Sequence, residues 1–139
     1  MESNQEKKSV EKIIDTRGKV IELHPKKSEE TLQHIEQHWE STFNTISDWI
    51  VLTDIEGRIL RTNHAGEDFT GKPLAEIIGQ TYCKLVHNSD KHVPGCPLMK
   101  MLQTDRRASV ELHFRSTDRW LMVTVDPVRD QKGNLIGSV

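Results

Sequence analysis

The sequence predicts an α+β domain built on an antiparallel sheet. Three observations carry that expectation. Strand-like alternation gathers at the two ends of residues 49–139, short glycine-punctuated helical pieces lie between, and an amphipathic helix precedes both. Strands grouped this way do not build the parallel βαβ repeat, which needs strands alternating with helices.

The 139 residues suit one domain and can bury a core without disulfide staples. With 19 basic against 21 acidic residues the formal net charge is −2, so the chain lacks the basic footprint of a nucleic-acid binder. No run approaches the roughly 18 apolar residues of a membrane span, and residues 1–10 lack the apolar stretch of a signal peptide. A cytoplasmic, reducing setting is expected. The expected partners are a small-molecule ligand, a second copy of the chain, or an effector domain of the same polypeptide, with no nucleic acid and no membrane.

Residues 1–27 are expected to form a flexible segment carrying a hairpin at 11–24. Residues 1–10 are charged and polar, whereas Lys12-Ile13-Ile14 and Val20-Ile21-Glu22-Leu23 are β-prone and flank a turn at Asp15-Thr16-Arg17-Gly18. Residues 28–47 read as an amphipathic helix. Ser28 can cap it, and Glu29 and Glu30 sit where the helix dipole favours acid. Leu32, Ile35, Trp39, Phe43 and Ile46 recur at steps of three and four. This stripe is nearly a heptad seam, fit to bury against the following domain or against a second copy as a dimer seam.

From residue 48 the globular part begins and the period changes to two. Residues 49–54 read as a strand, Asp54-Ile55-Glu56-Gly57 as a turn and residues 58–62 as the returning strand. Gly66, Gly71, Pro73 and Gly79 punctuate residues 63–81, with a short helix at 74–78. Residues 82–97 are expected to be irregular, and residues 97–105 form a helix with Leu98, Met101 and Leu102 on one face. Val110, Leu112 and Phe114 alternate with polar partners along 109–115. Trp120, Met122 and Thr124 then alternate with Leu121, Val123 and Val125. Asp130-Gln131-Lys132-Gly133 turns the chain into a last strand at 134–139. The sequence stops in or near that strand, so a piece of a longer protein is expected.

The order of these motifs resembles the PAS family over residues 42–139. Asn63, Ala65, Phe69, Gly71, Ile77, Ile78 and Gly79 occupy the family's Asn-x-Ala, aromatic, glycine and short-helix positions. Asp54-x-x-Gly57 and Asp130-x-x-Gly133 match its first and last hairpins. Elementary chemistry also gives each a scaffold role. Asn63 can bond its own backbone as an Asx turn, Phe69 can fill the space between sheet and helices, and Gly71 and Gly79 suit positive φ. The resemblance implies a five-stranded antiparallel sheet with short helices on one face, preceded by an N-terminal helix. It implies a sensory, signal-transducing domain at 48–139, as in sensor histidine kinases of two-component systems and transcriptional regulators. Such a domain is not an enzyme; it senses a ligand, metal or redox state and signals through a dimer. The Asn-Cys-Arg-Phe-Leu-like residues of the flavin-reactive subclass are missing, so flavin photochemistry is not expected.

Cys83-x-x-x-His87-x-x-x-x-His92-x-x-x-Cys96 is the one chemically suggestive constellation. Four soft-to-borderline donors over so short a span can close around zinc or iron, although the spacing is not that of a common zinc motif. Cys83 and Cys96 can instead form a redox-sensing disulfide, or one histidine can ligate haem. The plainer reading buries Cys83 as a small hydrophobe, opens a helix at Cys96 and leaves both histidines in solvent. No single cofactor follows from these residues. Two rival functions share the segment: a small thiol enzyme with Cys83 as nucleophile and His87 or His92 as base, and a ligand-free dimerisation module. Weaker signals are the His34/His38 pair one turn apart, Trp39 and Trp49 as core or pocket residues, and Lys84, Arg115 and Arg119 as anion contacts.

Overall fold

The computed structural model describes residues 11–14, 16–23, 25–114 and 117–139, with the backbone alone at 11, 13, 21–23 and 25–27. The expected flexibility of residues 1–10 lies outside the described residues, as do Asp15 of the first turn and Arg115. Two compact units emerge, Met1–Phe43 and Asn44–Val139.

The first unit carries the expected hairpin. Strands β1 (Glu11–Ile14) and β2 (Val20–Leu23) pair antiparallel, with Glu11 opposite Leu23 and Ile14 opposite Val20. Helix α1 (Pro25–Thr45) follows and runs into the start of the second unit. It begins before Ser28 because a proline fits a first helical turn, where its missing N–H has no partner to lose. It stops short of the expected residue 47. Leu32, Ile35 and Trp39 lie exposed on it, whereas Phe43 is buried and stacks on Trp39 with ring centroids 5.3 Å apart.

The second unit runs β3 (Val51–Asp54), β4 (Ile59–Thr62), α2 (Ala65–Thr70), α3 (Leu74–Ile77), α4 (Tyr82–His87) and α5 (Pro97–Thr104). It then continues through β5 (Ala108–Phe114), β6 (Arg119–Val125), β7 (Pro127–Arg129) and β8 (Leu135–Ser138). One sheet has the order β4-β3-β8-β7, and β5 pairs with β6. Strands β6 and β7 are a single strand interrupted where Pro127 has no N–H to give. At the interruption Asp126 and Val139 exchange both backbone hydrogen bonds, at 2.8 and 3.0 Å, which joins the two ladders. Five antiparallel strands therefore run in the order β4, β3, β8, β7 with β6, and β5.

Local chemistry sets the turns. The Asp54 carboxylate accepts the N–H groups of Glu56 and Arg58, both at 2.9 Å, and Asp130 accepts those of Lys132 at 2.8 Å and Asn134 at 2.9 Å. Gly137 is required by contact: a Cβ there would lie 1.9 Å from the Thr53 carbonyl oxygen and push β8 off β3. On the inner face Ala108, Phe114 and Val125 are buried, as are Ile77, Leu98 and Met101 of the helical segments. Trp120 and Met122 point outward, 66% and 69% exposed, as the alternation along β6 requires.

Two departures from the sequence reading matter for function. Residues 82–97 are not irregular throughout, since α4 forms at Tyr82–His87. The Thr81 hydroxyl oxygen accepts the Lys84 N–H at 3.3 Å and Asn88 closes the helix with φ 51°. Under two turns long and holding Cys, Val and His, it shows neither period nor propensity in the sequence. Asn63, in turn, makes no Asx turn with its side chain. Fully buried, it reaches back along the chain: its Nδ2 donates to the carbonyls of Ile46 (3.0 Å) and Asp48 (2.8 Å), and its Oδ1 accepts the Ile50 N–H (2.9 Å).

Replacing Asn63 by Ala leaves these backbone groups without their partner, at about 1–3 kcal/mol for each group kept from water. Urea denaturation should show Asn63→Ala less stable by about 3 kcal/mol or more. A loss below about 1 kcal/mol would mean that water replaces the amide freely.

Candidate functional site

Helix α4 hangs from the edge of the first hairpin. The Tyr82 N–H donates to the Gly57 carbonyl at 2.9 Å, Ile59 N–H to Gln80 at 2.8 Å, and Gly79 N–H to Ile59 at 2.8 Å. This sets Cys83, in the first turn of α4, beneath the β3–β4 turn. Cys96 occupies the N-cap position of α5, where Pro97 opens the helix, and its N–H donates to Val93 at 3.1 Å. The intervening loop brings His92 over both.

The result is a compact group. Cys83 Sγ lies 3.2 Å from His92 Nδ1 and 4.0 Å from Cys96 Sγ. The donor atoms of all three residues fall within 4.8 Å of one another, and among the described residues no other set of three or more His, Cys, Asp or Glu side chains converges in this way. Both sulfurs are buried, with Cys83 3% and Cys96 2% exposed, while His92 stays open to solvent. Burial is the main cause that pushes the Cys83 thiol up to about 11, with the neighbouring Cys96 adding to it and the Val93 backbone opposing. The Tyr82 hydroxyl is raised too, by burial first and then by Cys96 and Cys83. Without an ion the Cys83 thiol is therefore protonated near neutrality. The cysteines are free, not joined.

Of the four residues that the sequence singled out here, His87 stands apart. It leaves α4 on another side and packs its ring edge-on to Tyr82 (6.1 Å) and stacked on Phe114 (6.3 Å). Its Nε2 is buried with no hydrogen-bond partner among the described residues, and burial lowers its pKa. Phe69 meets Phe114 edge-on at 5.1 Å and stacks on Trp49 at 4.8 Å. An aromatic column thus joins the entry of β3 to α4. Trp49 also donates its indole N–H to the Thr62 hydroxyl at 2.8 Å, so it acts as core as well as wall.

Beside this column lies a cavity of about 680 Å³. Trp49, Val51, Leu121 and Val123 line its sides, and Tyr82 and Leu98 connect it to the cysteine group. The remaining sequence signals converge less. His34 and His38 face each other at 5.1 Å with both side chains exposed, and Lys84 is paired with Asp90 at 3.1 Å. Arg119 is exposed, and Arg115 lies outside the described residues.

Known proteins place this architecture. A family profile described as the PAS fold matches residues 37–139. The chain belongs to the PAS family. The PAS domain of a protein from Colwellia psychrerythraea superposes with a TM-score of 0.58 at 20% identity, covering 75% of this chain and 91% of its own. The PAS domain of nitrogen regulation protein NR(II) from Vibrio parahaemolyticus gives 0.53 at 18%, covering 71% and 90%. The light-state dimer of the fungal blue-light photoreceptor Vivid gives 0.51 at 21%, covering 66% and 74%. No curated protein matches the sequence. The chain is a PAS sensory domain, and in it the cysteine group links α4, the following loop and the start of α5. The aromatic column lies on the inner side of the sheet, and the cavity is lined by both alternating sets of β6 residues.

His87 gives this PAS domain an acid-sensitive point in its core. Its folded pKa is depressed, so below the ordinary histidine value of about 6.5 the unfolded chain binds the proton more readily. Stability is therefore lost as pH falls from there through the folded value. Replacing His87 by Phe removes this loss, and the stability difference between variant and parent should grow in the variant's favour from about pH 7 to about pH 5. Parallel pH profiles would show that the imidazole takes up its proton without cost.

Proposed function

We propose that this PAS domain is the sensory input module of a larger regulatory protein, a sensor histidine kinase or a transcriptional regulator. Its input site is the Cys83–His92–Cys96 group, and it catalyses nothing itself. One observation carries the reading: two cysteines and a histidine meet between α4, which backbone bonds tie to the β3–β4 hairpin, and the start of α5. A ligand, a metal or a change of oxidation at that point shifts α4. The Tyr82–Gly57 and Ile59–Gln80 hydrogen bonds hand the shift to β4. Asn63, at the far end of β4, holds residues 46–50 immediately after α1.

A thiol enzyme draws on the same Cys83–His92 contact, yet its nucleophile would be a protonated sulfur only 3% exposed. Burial of that degree speaks against turnover. The module works in the cytoplasm, where free thiols persist. No described helix is long and apolar enough to cross a membrane.

Output passes through a homodimer along the α1 stripe. Leu32, Ile35 and Trp39 are 65%, 61% and 47% exposed at helical spacing, a costly face to leave in water. Phe43 belongs to the same stripe but is 7% exposed, and Ile46 lies past the end of α1, so the seam rests on the other three. The fungal photoreceptor among the structural relatives is a dimer in its light state, which accords with this mode of output.

Sedimentation equilibrium tests the seam. The parent protein should associate as a dimer, and Trp39→Asp should weaken association at least about tenfold, since one buried large side chain is worth about 1.5–3 kcal/mol. A parent that stays monomeric at every accessible concentration rules the seam out.

A further inference from the structure

We infer that Cys83, His92 and Cys96 form a binding site for one thiophilic divalent cation of the zinc class. The assignment rests on the reading of this group as the input site and names what that site takes.

Geometry is the first argument. In a tetrahedral site with metal–sulfur bonds of about 2.3 Å and metal–nitrogen bonds of about 2.0 Å, the sulfurs stand about 3.8 Å apart and sulfur and nitrogen about 3.5 Å. The observed separations are 4.0 Å between the sulfurs and 3.2 Å from Cys83 Sγ to His92 Nδ1. The remaining edge is no longer than 4.8 Å. Shifts of a few tenths of an ångström close the first two edges on an ion. A disulfide, by contrast, needs the sulfurs at about 2.05 Å and assigns no role to the imidazole held against Cys83.

Charge is the second argument. On binding, the cation displaces one proton from each thiol to solvent, and the neutral imidazole contributes its lone pair. Two thiolates and a divalent ion sum to zero, so the buried pocket of Cys83 and Cys96 holds no net charge.

Position is the third. The sulfurs come from two helices and are rigid, while His92 comes from a loop and is exposed, so the fourth coordination position faces solvent on the histidine side. A three-donor site with an open position exchanges its ion and admits an outer ligand, as a sensor must. His87, although on the same helix as Cys83, is committed to Tyr82 and Phe114 and takes no part.

The test is anaerobic titration of the reduced full chain with cobalt(II), followed by displacement with zinc. One equivalent should raise thiolate-to-cobalt charge transfer and the visible bands of a tetrahedral site, and zinc should abolish both. Cys96→Ser should remove most of the charge transfer. His92→Ala should weaken binding by at least about tenfold, since even outer partners of metal ligands cost about 10–100-fold, and His87→Ala should leave it unchanged. A second readout needs no variant: zinc should slow modification of both thiols in the parent protein. Absence of charge transfer together with unprotected thiols overturns the metal assignment. If oxidation of the thiols then still changes the sedimentation of the protein, the group remains the input site and only its ligand was misidentified. If oxidation changes nothing either, both readings fall.

Discussion

Asn63 is the constraint on which the rest of the PAS domain depends. Fully buried, it satisfies the carbonyls of Ile46 and Asp48 and the N–H of Ile50, which no regular ladder reaches. A carboxamide carries two N–H donors beside an acceptor oxygen, so it fits two carbonyls and one N–H together. By fixing residues 46–50 against the end of β4, it aims Trp49 at Thr62 and sets where β3 begins. Strand β3 is the inner neighbour of both β4 and β8, so its placement is passed on to the sheet.

The second organising feature is how α4 and α5 are held. Backbone bonds from Gly79, Tyr82 and Ile59 fasten the entry of α4 to the hairpin edge. Cys83, Cys96, Leu98 and Met101 then pack with Ala108 and Val125 of the sheet. Two thiols in that core are tolerated because a protonated cysteine behaves as a small hydrophobe. Any chemistry that charged, joined or ligated them would have to reorganise the contact between helices and sheet.

Parts of this were legible from the chain. Asp54-x-x-Gly57 and Asp130-x-x-Gly133 declared their turns because an aspartate bonds the backbone ahead of it, and Gly57 and Gly133 adopt φ 77° and 86°. Alternation along β5 gave its inward face, whereas along β6 it gave two sets of residues and the structure turned Leu121, Val123 and Val125 inward. The cysteines and His92 were singled out by type alone, and they do meet. Helix α4 was not legible, being too short to show a period, and so His87 was grouped with ligands from which that helix turns it away. Pro127 divides β6 from β7 for a reason any sequence shows, but the sheet continues past it only through the Asp126–Val139 pair.

Residue type and spacing by themselves determined the class of fold, the turns, the buried face of β5 and the short list of reactive side chains. These follow from forces that act within a few residues: backbone sterics, capping and amphipathic period. The partners of Asn63, the pairing of Cys83 with His92 and the burial of His87 among aromatics were decided only by tertiary structure. The contacts of Asn63 with Ile46 and Ile50, of Cys83 with His92 and of His87 with Phe114 join residues 9 to 27 positions apart, whose distance in space is set by how sheet and helices close over a shared core.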